Sequence, residues 1–590
     1  MSQILCIETS FYAARVVVIH LPAPCARFRG GCHIGDVLRT RRKRDNVTTG
    51  FLPSVPLHHL QELSKPENTA DRETINDQAA RFCCAMTLST LTSERTNEHP
   101  PLKGGTNISR VRYYSNPSVR SRIEEFLGFA NRRDKHPSCF FMAIGDSEKT
   151  QYLNRFAKRW LPSRANDLLE ISRSLWDRES LLADLDIEYV NFDFPAESFL
   201  RPERTFFLQE PVRLAGETIF ADLGINPLHL VSGRGHHFIW QISRKSLAFE
   251  HLVAIGRPFY DRCDWHKSIA PTEQIQVGAD LAAAYCGLGL LMEFLAHQIK
   301  AKASSSSQIP VEITAIEVVP GERGREMVSL DISEYGDPLY MRMVRAPFSR
   351  YLKPIQQRSS LGAETVDNLP SIFEIPAVGD LSTTLTAMRD VKRVIALASE
   401  TSVRIPDRSA ASADLIKLYQ SSFLARFHEL FCSTQLPTQS KLPVHGSQTS
   451  CVDLPPCVRY ILEHPNDLLL KPAGVRRLTI TMLALGWHPS QIADLIHARF
   501  REDHHWNDIF SGYDPRFRAD FYTRLFAGLV WLKLDSAIDF SCWSSQKQGW
   551  CFHQACNDLL EHYQQSLINR RFYGRLANRP FHRLFFPKAN

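Results

Sequence analysis

The sequence predicts a mixed α/β domain over residues 116–355 and a separate all-α domain over residues 451–590. Three observations predict this arrangement. Apolar runs with strand-like alternation mix with helical patterns in the first part. A stretch at 436–450 that is rich in Pro, Ser and Gln is typical of a linker. Helical periodicity then dominates, so residues 356–450 are predicted to be a helical connector and linker.

The composition is that of a soluble globular protein with several domains. The chain has 590 residues, of which 44% are hydrophobic and 23% are charged, and these values are ordinary. The net charge of +7 is small for this length, so an argument for nucleic-acid binding depends on local clusters of arginine. The 14 cysteines include no CxxC pair. This favours a reducing compartment and therefore a cytoplasmic location, at the nucleoid in a prokaryote.

The most apolar stretch, Leu281–Ala296, is predicted to be a buried helix. It is shorter than the roughly 20 residues that span a bilayer, and it contains Glu293. The N-terminus is a poor signal peptide, because Glu8 comes early and Arg15 divides the apolar part. The sequence therefore predicts no membrane partner.

Basic segments lie towards both ends of the chain. Residues 1–115 show little helical or strand periodicity and are predicted to be an irregular N-terminal region. Within them, Arg39–Arg44 is compatible with a phosphate contact, a targeting signal or a solvated loop. Residues 569–590 interleave Arg and Lys with Phe and Tyr and contain no acid. That pattern suits a nucleic-acid backbone, and a plain basic terminus is the alternative.

Strands and helices mix between residues 116 and 355, which fits a single α/β domain. Ser121 is predicted to cap an amphipathic helix that carries Ile123, Phe126, Leu127 and Ala130. A glycine-rich turn is predicted to join two strands as a hairpin. The predicted strands are Cys139–Ile144, Leu181–Val190, Pro227–Val231, Phe238–Ile242, Ile313–Val319, Val328–Ile332 and Tyr340–Val344.

Beyond residue 355 the predicted elements are helices. The connector carries one convincing helical pattern, Ser412–Phe431. Pro489 opens one of the later helices, at a position where its missing N–H costs least. The later helices are predicted near 457–464, 474–486, 489–501, 515–532 and 556–568.

Two carboxylates lie on the strand Leu181–Val190. Asp184 and Asp186 are two residues apart, so on a strand their side chains point to the same face. Two unpaired carboxylates would repel each other there, and Mg²⁺ or Mn²⁺ would relieve the repulsion. An acidic strand end facing water is the alternative. Asp331 follows another short apolar strand, and a carboxylate from a neighbouring strand would complete a two-metal site.

The turn Ser232–His237 (SGRGHH) is rich in hydrogen-bond donors. Gly233 and Gly235 let the backbone approach a ligand closely, and Arg234 and the imidazoles can donate to phosphate oxygens. An ordinary hairpin turn is the alternative. Arginine suits a bidentate grip on phosphate. Further cations, some of them plain solvated residues, lie on and after a later strand at Arg342, Arg345, Arg350 and Lys353.

Taken in order, these motifs resemble the archaeo-eukaryotic primase superfamily of primases and primase-polymerases. The resemblance spans residues 116–355 and is carried by LLADLDIEYVNFD, LVSGRGHHFIWQI, VSLDISEYG and RMVRAPFSRYLK. It implies an α/β core of two modules, one of them similar to an RNA-recognition fold, with the active site in the cleft between them. It also implies a DNA-dependent enzyme that synthesises primers de novo on single-stranded DNA from NTPs, dNTPs or both. A helicase or other replication proteins would be further partners.

The same resemblance implies roles for individual residues. The catalytic carboxylates, which would hold two Mg²⁺ or Mn²⁺ ions, would be Asp184, Asp186 and Asp331. The contacts to the incoming nucleotide would be Ser232, Arg234, His237, Arg345 and Lys353, and the motif spacing of the superfamily favours His237 over His236. Two other functions remain alternatives, a replication initiator with an inactive site and a single-strand metal nuclease.

The C-terminal cysteines form a second candidate site. Cys457 opens a predicted helix in Leu454-Pro-Pro-Cys457, and three further cysteines cluster late in the chain. On spacing alone they would hold an iron–sulfur cluster or zinc, or be buried thiols. The Pro-Pro-Cys start, a later Leu485-Gly-Trp and the three late cysteines resemble the iron–sulfur domain of the primase large subunit. That resemblance implies a [4Fe–4S] cluster, with Zn²⁺ as the alternative, held by Cys457, Cys542, Cys551 and Cys556.

Overall fold

The structure is a computed structural model with a mixed α/β fold. It describes residues 113–129, 136–140, 142–145, 150–153, 169–263, 277–316, 318–433, 454–464, 471–484, 487–501, 514–535, 540–547, 549–551 and 560. Several predicted features lie outside these residues. They are the region before 113, the run Arg39–Arg44, the linker 436–450, nearly all of the predicted helix 556–568 and the tail 569–590.

The described strands form two sheets. One has the order β2-β1-β3-β9, and the other has the order β10-β5-β6-β4-β8-β7. Neighbouring strands pair antiparallel except β7 and β8, which pair parallel. The strands are β1 (Met142–Gly145), β2 (Thr150–Leu153), β3 (Glu170–Ser174), β4 (Ser180–Asn191), β5 (Leu228–Val231), β6 (Gly235–Ser243), β7 (Val311–Ile313), β8 (Glu326–Asp331), β9 (Met343–Arg345) and β10 (Ile375–Pro376).

Helices cover the sheets and make up the C-terminal part. In the α/β part they are α1 (Pro117–Phe126), α2 (Glu197–Leu200), α3 (Pro202–Asp222), α4 (Leu247–Tyr260) and α5 (Ala279–Ala303). In the connector they are α6 (Lys353–Gln356), α7 (Arg358–Leu361), α8 (Ala363–Asn368), α9 (Leu381–Ala387), α10 (Val391–Glu400), α11 (Ser409–Ser421) and α12 (Phe423–Ser433). The last ones are α13 (Pro456–Glu463), α14 (Pro472–Ala484), α15 (Pro489–Arg501), α16 (Pro515–Trp531) and α17 (Cys542–Lys547).

The strands that carry the candidate residues were well predicted. Strand β4, the hairpin β5–β6 and strand β8 lie within a residue or a few of their predicted bounds. The prediction of Ile313–Val319 was wrong, because the strand is Val311–Ile313 and Thr314 follows it with a φ of 60°. Residues other than glycine rarely adopt this backbone conformation, and at Thr314 it ends the strand. The predicted strand Tyr340–Val344 begins only at Met343, after a short 3₁₀ turn.

Strand β1 and helix α1 begin elsewhere than predicted. The predicted strand Cys139–Ile144 starts at Met142, and Cys139 forms only an isolated bridge. Helix α1 is capped by Asn116 and not by Ser121. The Asn116 Oδ1 accepts hydrogen bonds from the amides of Ser118 at 2.9 Å and Val119 at 3.3 Å, which satisfies donors that a helix start leaves free.

The predicted single helix Ser412–Phe431 is two helices, α11 and α12. They break at Ser422, which has an extended ψ of 160°. The Ser422 Oγ accepts a hydrogen bond from the Ala425 amide at 3.1 Å. A serine that caps a new helix outweighs the continuous apolar periodicity on both sides of it.

Helix α5 is the buried helix that the sequence predicts. It is long and apolar enough to cross a membrane, but 89% of its most apolar window is buried within the protein, as in the core helix of a soluble protein. Glu293 on this helix is fully buried and pairs with two partners from later elements. Arg524 Nε lies 2.9 Å and His428 Nε2 lies 3.1 Å from its carboxylate oxygens. This network joins α5, α12 and α16.

The C-terminal helix α16 packs directly on the α/β part. Besides Arg524, it presents Asp520 to Arg262, with an Nε–Oδ2 distance of 2.8 Å. All described residues fall into one compact unit. The domain boundaries near residues 355 and 450 therefore stay predictions.

A histidine in the buried network makes stability depend on pH. His297 is fully buried, and neither of its ring nitrogens has a hydrogen-bond partner among the described residues. Burial lowers the pKa of His297 from 6.5 to about 4, while Glu293 acts to raise that pKa and His428, Lys300 and Arg524 act to lower it. In this window the unfolded chain holds a proton that the folded chain lacks. Stability is therefore complete above the ordinary pKa of 6.5 and is lost as the pH falls towards about 4.

Replacing His297 by Leu is expected to reduce this loss. Leu cannot bind a proton, so the variant should avoid about 1–3 kcal/mol of the stability that wild type loses as the pH falls, and its stability at neutral pH should not decrease. The measurement is the free energy of unfolding as a function of pH. The matched control is His428→Leu, which removes hydrogen bonds to Tyr419 Oη at 2.8 Å and Glu293 at 3.1 Å and should destabilise the protein at neutral pH. An equal slope with pH in wild type and His297→Leu would contradict the expectation.

Candidate active site

The candidate carboxylates meet on strand β4 because of the sheet register. Asp186 lies opposite His237 on β6 and opposite Asp331 on β8. Directly opposed residues of antiparallel strands project to the same face, with Cα atoms roughly 4.5–5.5 Å apart. Asp184, two residues earlier on β4, shares that face. The structure therefore brings Asp184, Asp186, Asp331 and His237 together on one face of the sheet, at the point where β8 ends.

His237 contacts both acids of β4. Its Nδ1 lies 3.1 Å from Asp184 Oδ2, and its Nε2 lies 3.7 Å from Asp186 Oδ1. Its neighbour His236 projects to the opposite face, where it contacts the His229 ring at 3.0 Å and the Phe206 ring. Of the two histidines, His237 is thus the one that faces the carboxylates.

Tyr335 holds the backbone of Asp184. Strand β8 stops pairing with β4 at Asp331, opposite Asp186. Beyond that point the Tyr335 hydroxyl accepts a hydrogen bond from the Asp184 amide at 3.0 Å and donates one to the Asp184 carbonyl at 2.8 Å. One buried hydroxyl thus replaces the missing strand and satisfies both backbone groups.

Glu334 is a fourth carboxylate that the sequence did not single out. It lies in the short 3₁₀ turn Ser333–Gly336, directly after Asp331. Its Oε1 is buried and has no hydrogen-bond partner among the described residues. Burial raises the pKa of Glu334 well above its usual value, and Asp184, Asp331 and Asp186 raise it further, against Arg342. Its closeness in sequence to Asp331 was the only available signal.

Burial and crowding set the charges of the site. Burial raises the pKa of Asp186 well above its ordinary value, and Glu188, Asp331 and Asp184 add to this while His237 opposes it. Burial alone would lower the pKa of His237, but the carboxylates of Asp186 and Asp184 outweigh burial and raise that pKa well above 6.5. The two carboxylates therefore favour the protonated form of His237, whose positive charge partly neutralises the acids.

The donor chemistry of the site fits a divalent cation. No group of three or more His, Cys, Asp and Glu side chains in the described part of the chain has the spacing of a formed metal site. Asp184 is engaged by His237, and Asp331 Oδ1 accepts from the Ser333 amide at 2.9 Å. Asp186 Oδ1 is buried without a hydrogen-bond partner among the described residues. Carboxylate oxygens, one of them without a hydrogen-bond partner among the described residues, suit Mg²⁺ or Mn²⁺. To bind the ion, Asp184 would give up its contact with His237, and Asp331 would give up its hydrogen bond from the Ser333 amide.

The candidate phosphate contacts Arg234 and Ser232 lie in the turn between β5 and β6. The Ser232 amide donates to the Gly235 carbonyl at 2.8 Å, which closes the turn. Arg234 is buried and pairs with Glu188, the next residue on the acidic face of β4. Its carbonyl accepts from Gln209 Nε2 at 3.0 Å and from the Tyr189 amide at 3.1 Å. The turn thus holds the Arg234 backbone against β4 and α3.

Lys353 reaches the same carboxylate from α6. Its Nζ lies 3.5 Å from Glu188 Oε1. Burial opposes ionisation of Glu188, but Arg234 and Lys353 outweigh burial and lower the Glu188 pKa. Burial lowers the pKa of Lys353, and the positive charge of Arg234 lowers it further. Two cations therefore share one acid, which leaves positive potential beside the acidic cluster.

Arg345 connects the other sheet to the site. It ends β9 of the four-stranded sheet, and its side chain pairs with Glu374 at 2.9 Å and Glu170 at 3.0 Å. Its guanidinium lies 4.3 Å from the Tyr351 ring centre. Glu374 is fully buried and lies within electrostatic reach of His237. Arg345 of one sheet and His237 of the other thus both lie close enough to Glu374 to affect its charge.

The three described candidate cysteines lie around helix α14. Cys457 is buried near the start of α13, which packs on α14. Cys542 is buried at the start of α17, whose Ser544 Oγ accepts from Arg477 Nη2 at 3.1 Å. Arg477 also stacks on Trp550, the neighbour of half-buried Cys551, at 4.9 Å. Cys556 lies outside the described residues. The thiols present fit an iron–sulfur cluster or zinc in donor type.

No family model, curated protein or solved structure matches this chain.

Proposed function

We propose that this protein is a single-chain primase or primase-polymerase that joins nucleotides on a single-stranded DNA template. The observation that carries the proposal is the register that sets His237 and Asp331 on either side of Asp186. This register, together with the position of Asp184 on the same face, supports a site of three carboxylates beside the cations Arg234 and Lys353. Nucleotidyl transfer needs this combination of acidic and basic groups.

The residues would divide the chemistry between them. Asp184, Asp186 and Asp331 would hold two divalent ions, which activate the 3′-hydroxyl and stabilise the pyrophosphate when bound. Arg234 and Lys353 would bind the triphosphate, whose oxygens would replace those of Glu188. His237 would add a positive charge next to the phosphates, with Ser232 as a further donor. Arg345 would help to orient His237 through Glu374, which lies near both.

De novo synthesis from an unprimed template tests the proposal. Purified full-length protein is incubated with single-stranded DNA, Mg²⁺ or Mn²⁺, and either labelled NTPs or labelled dNTPs. Metal-dependent incorporation is expected with at least one nucleotide set. Degradation of the strand without nucleotides would favour the nuclease, and DNA binding without incorporation would favour the inactive initiator.

We also propose that the C-terminal cysteines hold a [4Fe–4S] cluster. Protein purified without oxygen is then expected to be brown and to contain roughly four iron atoms per chain, and Cys457→Ser should lose most of this iron. Cys432→Ser is the matched control, because Cys432 lies outside the set and burial raises its pKa to about 12, so it stays a thiol. If the protein is colourless and contains zinc, and if Cys457→Ser loses that zinc, the cysteines hold Zn²⁺ and not an iron–sulfur cluster.

A further inference from the structure

The segment after β8 connects the acidic cluster to the C-terminal helix α16. Asp331 and Glu334 stand at the start of this segment. Tyr335 holds the Asp184 backbone, as described above, and the Glu334 carbonyl accepts from the Tyr285 hydroxyl of α5 at 2.7 Å. The segment is thus attached to β4 on one side and to α5 on another. A third side remains, and α16 covers it.

Two residues of α16 make this third contact. Arg518 Nη1 donates to Asp337 Oδ1 at 3.0 Å, and Asp337 is fully buried. Asp337 also pairs with Arg342, whose Nη2 donates to the Ser333 carbonyl at 3.5 Å. This chain of contacts runs from α16 through Asp337 and Arg342 to Ser333, which directly precedes Glu334.

Phe521, one turn further along α16, packs against the backbone of Gly336. A Cβ at Gly336 would come within 2.6 Å of the Phe521 ring, and Phe521 is 1% exposed. Such a close approach fixes the distance between helix and segment, because neither partner has room to move towards the other. The Phe521 ring and the ion pair of Arg518 with Asp337 thus both hold residues 332–337 against α16.

We propose that Arg518 and Phe521 are positioning residues for the acidic cluster. By fixing residues 332–337 they would set the orientation of Asp331 and Glu334, and α16 would be part of the catalytic unit although it lies in the C-terminal region. The inference rests on the proposed function for the role of the cluster. Mutating the groups that orient metal ligands typically lowers metal affinity by about 10-fold to 100-fold.

The test measures Mn²⁺ affinity of the full-length protein by electron paramagnetic resonance. Arg518→Ala is expected to bind Mn²⁺ roughly 10-fold to 100-fold more weakly, Arg518→Lys to recover part of this, and Phe521→Leu to give a smaller loss. Arg516→Ala is the matched control. Arg516 lies on the same helix with the same 11% side-chain exposure, but it pairs with Asp494 and Asp520, away from the segment.

Hydrogen exchange supplies a readout that needs no metal. Exchange in residues 326–342 should accelerate in Arg518→Ala and Phe521→Leu and should not change in Arg516→Ala. Either of two results would overturn this inference and leave the proposed function standing. One is unchanged exchange in residues 326–342 of Arg518→Ala and Phe521→Leu, and the other is equal Mn²⁺ affinity in all four variants and wild type. If wild type binds no more Mn²⁺ than Asp184→Ala/Asp186→Ala does, the metal site itself fails, and the proposed function and the inference fall together.

Discussion

Replacing Asp184 and Asp186 together by Ala is expected to abolish nucleotide incorporation. The two carboxylates lie on one face of β4, and Asp186 lies between His237 and Asp331, so their loss removes most of the oxygen donors for metal. Bound metal supplies several kcal/mol of transition-state stabilisation, so synthesis should fall by about 1000-fold or more. The measurement is incorporation on an unprimed template, beside single-stranded DNA binding, which should persist.

Stability gives this prediction a second readout. Because burial and neighbouring acids raise the Asp186 pKa, its charge is unfavourable without metal, and Asp186→Asn should melt at the same or a higher temperature in metal-free buffer at neutral pH. Mg²⁺ should stabilise wild type more than this variant. The control is Asp280→Ala, since Asp280 is exposed and pairs only with Arg257 among the described residues. Retained synthesis in the double variant would refute the site.

Replacing Gly235 by Ala is expected to give the largest loss of stability. A Cβ at Gly235 would lie 1.7 Å from the Ile187 carbonyl oxygen on the paired strand β4. The obstacle is backbone rather than a flexible side chain, so β4 and β6 would have to separate. We expect a loss of roughly 3–5 kcal/mol in the free energy of unfolding.

Gly216→Ala is the matched control for Gly235→Ala. At Gly216, inside α3, a Cβ would meet the nearest atom at 3.6 Å, which is ordinary contact. Alanine stabilises a helix interior more than glycine does, so this variant should be as stable as wild type or more stable by up to about 1 kcal/mol. Denaturant unfolding of both variants measures the contrast. Similar stabilities would show that β6 can shift without cost and would weaken the account of the site.

Local patterns predicted the elements that carry the site. A period of two in Leu181–Val190 predicted that Asp184 and Asp186 share a face, and the glycine turn predicted the hairpin that presents His237. Local rules failed where one residue overruled a longer pattern. Ser422 caps a second helix inside a continuous apolar periodicity, and Thr314 ends a strand with a positive φ.

The partners of the site residues were less accessible to prediction. Nothing within a few residues of Glu188 shows that it pairs with Arg234 and Lys353, and nothing near Asp337 shows that Arg518 reaches it. Charged residues are common on surfaces, so their sequence alone does not distinguish a buried ion pair from a solvated side chain. Glu334 was missed for the same reason.

Side-chain direction along a strand and the start of a helix depend on a few neighbouring residues, and the chain specifies them locally. These short-range rules were enough to place Asp184 and Asp186 on one face. The roles of the individual acids and bases came instead from the resemblance of the motifs to the primase superfamily. Which strand lies beside β4, where β8 stops, and that α16 covers residues 332–337 depend on contacts between residues that are far apart in the chain. Such contacts form only when the whole core packs, because the burial that stabilises them is shared among all of its elements.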